Sequence, residues 1–206
     1  MKTNNDHYSI DLETLANRFD SAILSIGVVQ FDPSTGKLGA EFYKEIDIDS
    51  SIRAGHVNGS TLSWWMQQGD KARRIFGESK EKVSLATALD NLATWLRSQP
   101  ASPKVWGNGV IFDISALENA YVNGGVGLAV PWNHANVRDM RTIVDVAGFT
   151  EWPPVVGAHH NTLNDARYKA QVISACWQKI HGAVPLGAKS KPTKTPAPVT
   201  TDDEEL

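Results

Sequence analysis

The chain has 206 residues, 41% of them apolar, an ordinary content for a globular protein and enough to bury one core. Lys and Arg number 20 against 23 Asp and Glu, a formal net charge of −3, so no strong positive field holds polyanions, and histone-like, basic-arm and polybasic membrane-binding classes are excluded. The single cysteine, Cys176, excludes an intrachain disulfide framework and a multi-cysteine zinc ribbon and fits a reducing compartment. No apolar run approaches the roughly 18 residues a membrane helix needs, and the opening MKTNNDHYSI lacks the apolar stretch of a signal peptide. The sequence reads as a soluble cytoplasmic protein with no membrane partner.

Three strands are expected first: near Tyr8 to Asp11, from Ala22 to Phe31, and from Ala40 to Ile48. Asp32-Pro33-Ser34-Thr35-Gly36 joins the last two as a hairpin turn, because its Pro and Gly have the backbone preferences a turn requires. Around Trp64-Trp65, Leu62, Trp65 and Met66 fall at helical core spacing, which favours packing or a subunit interface over base stacking. Between Lys82 and Arg97, Leu85, Leu89, Leu92 and Leu96 recur at steps of four, three and four, one face of a helix. Lys104-Val105-Trp106 is a short buried strand. Helices follow at Ile114 to Asn123, about Arg141 to Ala147, and Leu163 to Ile180, with Gly124-Gly125 and Gly182 as stop signals. The order β-β-β-α-β-α-β-α predicts an α/β fold: a mixed sheet, antiparallel strands first and βα units afterwards, flanked by helices. No internal repeat is visible, and residues 1–186 read as a single domain. Residues 187–206 combine Pro, Thr and Lys with a terminal acidic run, Asp202 to Glu205, and cannot bury enough surface to offset ordering entropy; they read as a disordered tail. Such a tail is a solvated segment or, as the rival reading, a docking site for a protein partner.

Three acidic clusters carry the chemistry. Asp11 and Glu13 stand two apart at the end of the first strand, so both carboxylates project from one face; they are either a solvent-facing strand end or ligands of a hard cation such as Mg²⁺ or Mn²⁺. Asp113 lies where the strand at Val105-Trp106 runs through Gly107-Asn108-Gly109 into a helix start, the position of an N-cap. The glycines on either side of Asn108 also suit close approach to a ligand. His159-His160-Asn161-Thr162-Leu163-Asn164-Asp165 opens the last long helix, with Asp165 in its first turns, where the helix dipole favours a carboxylate. Paired histidines raise a zinc site as an alternative, but no HExxH and no second cysteine accompany them.

Together, a strand-end DxE, an FD about a hundred residues on, and HxxxxD leading a helix resemble the DEDDh 3′-5′ exonucleases of the DnaQ-like, RNase H-fold superfamily. More narrowly, Asp11-Leu12-Glu13-Thr14-Leu15, Phe31-Asp32-Pro33-Ser34-Thr35-Gly36, Trp64-Trp65, Trp106-Gly107-Asn108-Gly109, Pro131-Trp132, Arg138-Asp139-Met140-Arg141-Thr142 and His160 to Arg167 are similar to the phage exonuclease A and mycobacterial RNase AS type, over about residues 8–180. The resemblance implies an RNase H-like five-stranded mixed sheet and hydrolysis at the 3′ end of single-stranded DNA or RNA with two divalent cations, Mg²⁺ or Mn²⁺. DNA is favoured on the match to exonuclease A. It implies Asp11, Glu13, Asp113 and Asp165 as metal ligands and His160 as general base, with His159 its rival. Thr14 and Leu15 are implied at the terminal nucleotide. Trp106 and Asn108 are substrate-binding candidates close in sequence to Asp113, and Arg138 and Arg141 are phosphate contacts or a solvated helix face. Asn164, where relatives often carry an acid, is not assigned to the metals. A homodimer is implied as well. The host cytoplasm is the location expected of a phage-encoded member.

Overall fold

The computed structural model describes residues 6–99, 102–124, 127–154 and 161–182. The 187–206 tail therefore lies outside the described residues. Strands β1 (His7–Thr14), β2 (Ile23–Asp32) and β3 (Lys37–Glu45) form an antiparallel meander, to which β4 (Lys104–Gly107) and β5 (Val137–Asp139) add in parallel. The sheet order is β3-β2-β1-β4-β5, which puts β1 at the centre. Helices α1 (Ile48–Ile52), α2 (Gly59–Met66), α3 (Asp70–Arg73) and α4 (Leu85–Arg97) lie between β3 and β4. After β4 come α5 (Asp113–Asn123), α6 (Met140–Ala147), which follows β5 directly, and α7 (Thr162–His181). No helix among the described residues is long and apolar enough to cross a membrane.

Each strand has a sequence reason. In β1, Tyr8, Ile10 and Leu12 alternate with His7, Ser9, Asp11 and Glu13, and the first set enters the main core with Leu85, Leu89, Leu92 and Leu96 of α4 and Ile114 and Leu117 of α5. The second set faces α7, so β1 is buried along its whole length and still carries a polar face. The turn between β2 and β3 forms as its composition predicts: the Asp32 carboxylate accepts from the Ser34 backbone N–H at 2.9 Å, and Gly36 takes φ 74°, which favours glycine.

Three expectations are corrected. The region after β3 holds three short helices, α1 to α3, where no regular element beyond the spacing around Trp65 is expected. Leu62 and Met66 are not core: they are exposed on α2, and Trp65 alone is buried there, its indole N–H donating to the Thr14 carbonyl at 2.9 Å. Asp113 is the first residue of α5, one position inside the cap at Phe112, and its carboxylate accepts from the Asn108 N–H and caps no N–H of the helix.

Below the β1–β4 junction, His7 is 1% exposed among the rings of Phe31, Trp106 and Trp177, and the Trp106 indole N–H donates to its Nδ1 at 2.9 Å. Burial drives its pKa down to about 4 against the opposing charge of Asp6, whose Oδ1 lies 3.5 Å from the ring Nε2 and whose other oxygen pairs with Lys104 at 2.7 Å, so the ring is neutral near pH 7. Between pH 6.5 and 4 the unfolded chain binds a proton there that the folded chain refuses, so this contribution is lost as pH falls through that window. Full protonation costs about 3 kcal/mol. Thermal melts from pH 7 to 4 are expected to show the wild type losing its advantage over His7→Gln, which keeps an acceptor but does not titrate. Parallel melting curves would count against this account.

Candidate active site

The polar face of β1 carries Asp11 and Glu13 side by side toward α7, 8% and 9% exposed. A register shift between Glu13 and Thr14 ends the regular pairing to β2, and the Trp65 indole holds the strand's last carbonyl. Asp11 pairs directly across the ladder with Gly27 of β2. A side chain at Gly27 would meet the Thr162 carbonyl oxygen at 2.5 Å and the Leu163 nitrogen at 2.7 Å, so glycine is what lets the N-terminus of α7 rest on the sheet opposite Asp11. The Asn161 side chain caps that helix by accepting from the Asn164 N–H. Farther along it, Arg167 makes a bidentate pair with Glu41 of β3 at 2.7 and 2.6 Å and also donates to Asn164 Oδ1, which occupies that amide away from the acids.

This docking brings Asp165 to Asp11 and Glu13, and one ligand oxygen from each of the three lies within 4.8 Å of the others. Burial, then the Asp11 and Asp165 charges, pushes the Glu13 carboxyl up to about 8. Asp11 is likewise raised, by burial above all, with Lys169 opposing. Three oxygen-only acids held this close against mutual repulsion are a donor set suited to a hard divalent cation, so the residues present fit the metal that the resemblance implies. His160 and His159 lie outside the described residues.

Asp113 enters from the other side, 3% exposed at the start of α5, where Gly107 and Gly109 shape the approach; Gly109 takes φ 94°. Between Asp113 and Asp11 sits a residue that the sequence reading missed. The Lys169 ammonium, on the buried stripe of α7, donates to Asp11 Oδ1 at 2.5 Å, Asp113 Oδ2 at 2.9 Å and the Ile10 carbonyl at 3.4 Å. Burial works against its charge, but the two carboxylates more than offset that and hold its pKa above the ordinary lysine range.

Asp11, Asp165 and Lys169 form the floor of a 330 Å³ cleft whose walls include Asn108, Met140, Trp152 and Tyr168. Through Asn108, Met140 and Trp152 it adjoins a second hollow of 350 Å³ lined by Arg141, Val144 and Phe149. Arg141 Nε donates to Asn108 Oδ1 at 3.3 Å across Gly109, so Asn108 and Arg141 are both at the cleft. Trp152, half exposed and edge-on to Phe149, is a cleft residue the sequence reading did not single out. The other candidates line neither of these two hollows. Trp106 is buried against His7. Leu15 is 2% exposed in a satellite core with Leu24 and Trp65, and the Thr14 hydroxyl donates to the Ala16 carbonyl. Arg138 donates to the Ala135 and Val137 carbonyls.

A family model described as the 3′-5′ exoribonuclease Rv2179c-like domain matches residues 6–177. An exodeoxyribonuclease of Enterobacteria phage T4 is 26% identical over 122 residues, 53% of this chain and 53% of that protein, so the chain spans about half the length of the curated relative it matches. Among solved structures, S. pombe Pop2p in a Mg²⁺- and Mn²⁺-bound form aligns with TM-score 0.55 at 11% identity over 84% of this chain and 83% of that one. The nuclease domain of 3′hExo, a DEDDh family member bound to rAMP, aligns with TM-score 0.51 at 14% identity over 89% and 96%. E. coli ExoI, in a zinc-bound complex with single-stranded DNA, aligns with TM-score 0.52 at 12% identity over 85% and 40%. At such identities the likenesses establish the fold: an RNase H-like mixed sheet flanked by helices.

Proposed function

The chain belongs to the Rv2179c-like 3′-5′ exoribonuclease domain family, and on that premise we propose that it removes nucleotides from the 3′ end of single-stranded nucleic acid by metal-dependent phosphodiester hydrolysis. The observation that carries the reading is the convergence of Asp11, Glu13 and Asp165 within 4.8 Å, two of them, Asp11 and Asp165, lining an open cleft, with Asp113 across the Lys169 ammonium from Asp11. Two divalent cations, Mg²⁺ or Mn²⁺, would supply charge neutralisation at the scissile phosphate, an acidified attacking water and a stabilised leaving oxygen. Asp11 would be shared by both, Glu13 and Asp165 would complete the nucleophile side, and Asp113 would serve the leaving-group side. His160 would accept the proton of the attacking water, a task suited to an unperturbed pKa of about 6.5. Asn108 and Arg141 would meet the strand where it leaves the acids. Their side chains are already oriented by a mutual hydrogen bond, and a guanidinium there matches phosphate geometry.

Two sugars are carried as readings. The phage T4 relative is named for DNA hydrolysis, the family for RNA hydrolysis. Matched 5′-labelled single strands of DNA and RNA, incubated with Mg²⁺, Mn²⁺ or EDTA, test both together. The expected result is a ladder shortening from the 3′ end with either metal, none in EDTA, and none from a circular single strand; the faster ladder identifies the sugar. Absence of product on both polymers, or cutting of the circle, would overturn the reading.

A further inference from the structure

Lys169 is unusual for its place. It stands on the face of α7 that also carries Ala166, Ala170 and Ile173, a stripe otherwise given to packing, and its side chain is only 9% exposed. A lysine is rarely buried without a charged partner, and this one has two. All three ammonium hydrogens have acceptors: Asp11 Oδ1, Asp113 Oδ2 and the Ile10 carbonyl. Asp113 Oδ2 is further fixed by the Asn108 N–H at 3.0 Å. The ammonium therefore fills the gap where these two carboxylates face each other, while Glu13 and Asp165 each bring a ligand oxygen to within 4.8 Å of one on Asp11. A cation entering between Asp11 and Asp113 meets a like charge at contact distance, in surroundings with little water to screen it. Expelling that ammonium without a new partner would leave a charge buried and uncompensated.

We propose that Lys169 is a built-in cation between Asp11 and Asp113, so that without nucleic acid the protein takes a single divalent ion, at Asp11, Glu13 and Asp165. A second ion gains its place only by displacing the Lys169 ammonium. The inference rests on the reading of these carboxylates as metal ligands. It makes metal stoichiometry a property of substrate engagement: the arriving phosphate backbone offers the displaced ammonium a new anionic partner and brings negative charge to attract the second ion.

The test counts Mn²⁺ bound to the full chain, with no nucleic acid present, by calorimetric titration and by the free-Mn²⁺ paramagnetic signal. Wild type is expected to bind one ion per chain. Lys169→Met is expected to bind two, the first at least tenfold more tightly, and Lys169→Arg, which keeps the charge, one. Lys169→Met is also expected to melt lower than wild type in EDTA and to regain the difference in Mn²⁺. Two ions on the wild type would overturn the inference even if Lys169→Met fails to fold, as would one ion on a folded Lys169→Met. No ion bound to any of the three would instead bring down the metal-ligand reading on which it rests.

Discussion

Asp165→Asn is expected to reduce 3′-end hydrolysis by about four orders of magnitude or more while leaving the protein folded, and Asp11→Asn to do the same. Four orders correspond to about 5.5 kcal/mol of lost transition-state stabilisation, a reasonable share of what charge neutralisation at a phosphoryl centre supplies. The two variants separate chemistry from folding in different ways. Asp165 sits half-buried in the first turn of α7, so its removal forfeits a helix-dipole interaction of about 0.5 kcal/mol while relieving the repulsion that raises Glu13. A melting curve in EDTA checks that this variant remains folded. Asp11 is also a partner of Lys169, and Asp11→Asn leaves that ammonium with Asp113 and the Ile10 carbonyl, so a modest fall in melting temperature is expected there. Initial rates on a 5′-labelled single strand at saturating Mn²⁺ are the measurement. Activity within tenfold of wild type in either variant would dissolve the carboxylate assignment.

Much of the fold was legible because its signals are local. The leucines of α4 repeat at helical spacing, the 32–36 turn has its own chemistry, and β1 alternates apolar and polar residues. The carboxylate set came from the resemblance: strand and helix geometry alone left Asp11, Glu13, Asp113 and Asp165 each with an ordinary structural reading, and only their combination and order matched the DEDDh pattern. What escaped depends on tertiary contact. β5 has its place in the expected order of elements but no residues assigned to it, because its three residues form a strand only by pairing Val137 to Asp139 with Val105 to Gly107. α3 has four and α1 five, too short for any periodicity to be read. Leu15 follows the metal motif in sequence, yet the irregularity after Glu13 turns it into a satellite core, a change of direction that spacing does not encode. Lys169 had a signal that went unused, a charged residue at a position whose helical neighbours are small or apolar. Such a mismatch marks a partner waiting in the tertiary structure.

The dependence of the site on one backbone contact gives the other large effect. Gly27→Ala adds only a methyl group, but it would lie within van der Waals overlap of the Thr162 carbonyl and the Leu163 nitrogen, and both are backbone atoms at the start of a 20-residue helix that cannot swing aside like a side-chain tip. β2 cannot yield either, because it is paired on both sides, Gly27 with Asp11 in β1 and with Tyr43 in β3. The helix must lift or tilt, at a cost of about 3 kcal/mol for overpacking without room to relax. For a chain of this size that is roughly a 10 °C fall in melting temperature. The functional consequence exceeds the thermodynamic one. Asp165 lies one turn beyond the contact, so a shift of about 1 Å at Thr162 carries its carboxylate away from Asp11 and Glu13, and positional errors of that size can cost about a hundredfold in rate. Gly27→Ala is thus expected to weaken Mn²⁺ binding and hydrolysis together, well below its own unfolding temperature. Ala166→Gly, which loosens the same helix without pushing it off the sheet, serves as the control: it should lower the melting temperature while keeping Mn²⁺ affinity. If Gly27→Ala lost stability but bound Mn²⁺ as tightly as wild type, the close approach at Gly27 would be a packing feature alone, and the placement of Asp165 would have to be credited to the Asn161 cap and the Arg167–Glu41 pair.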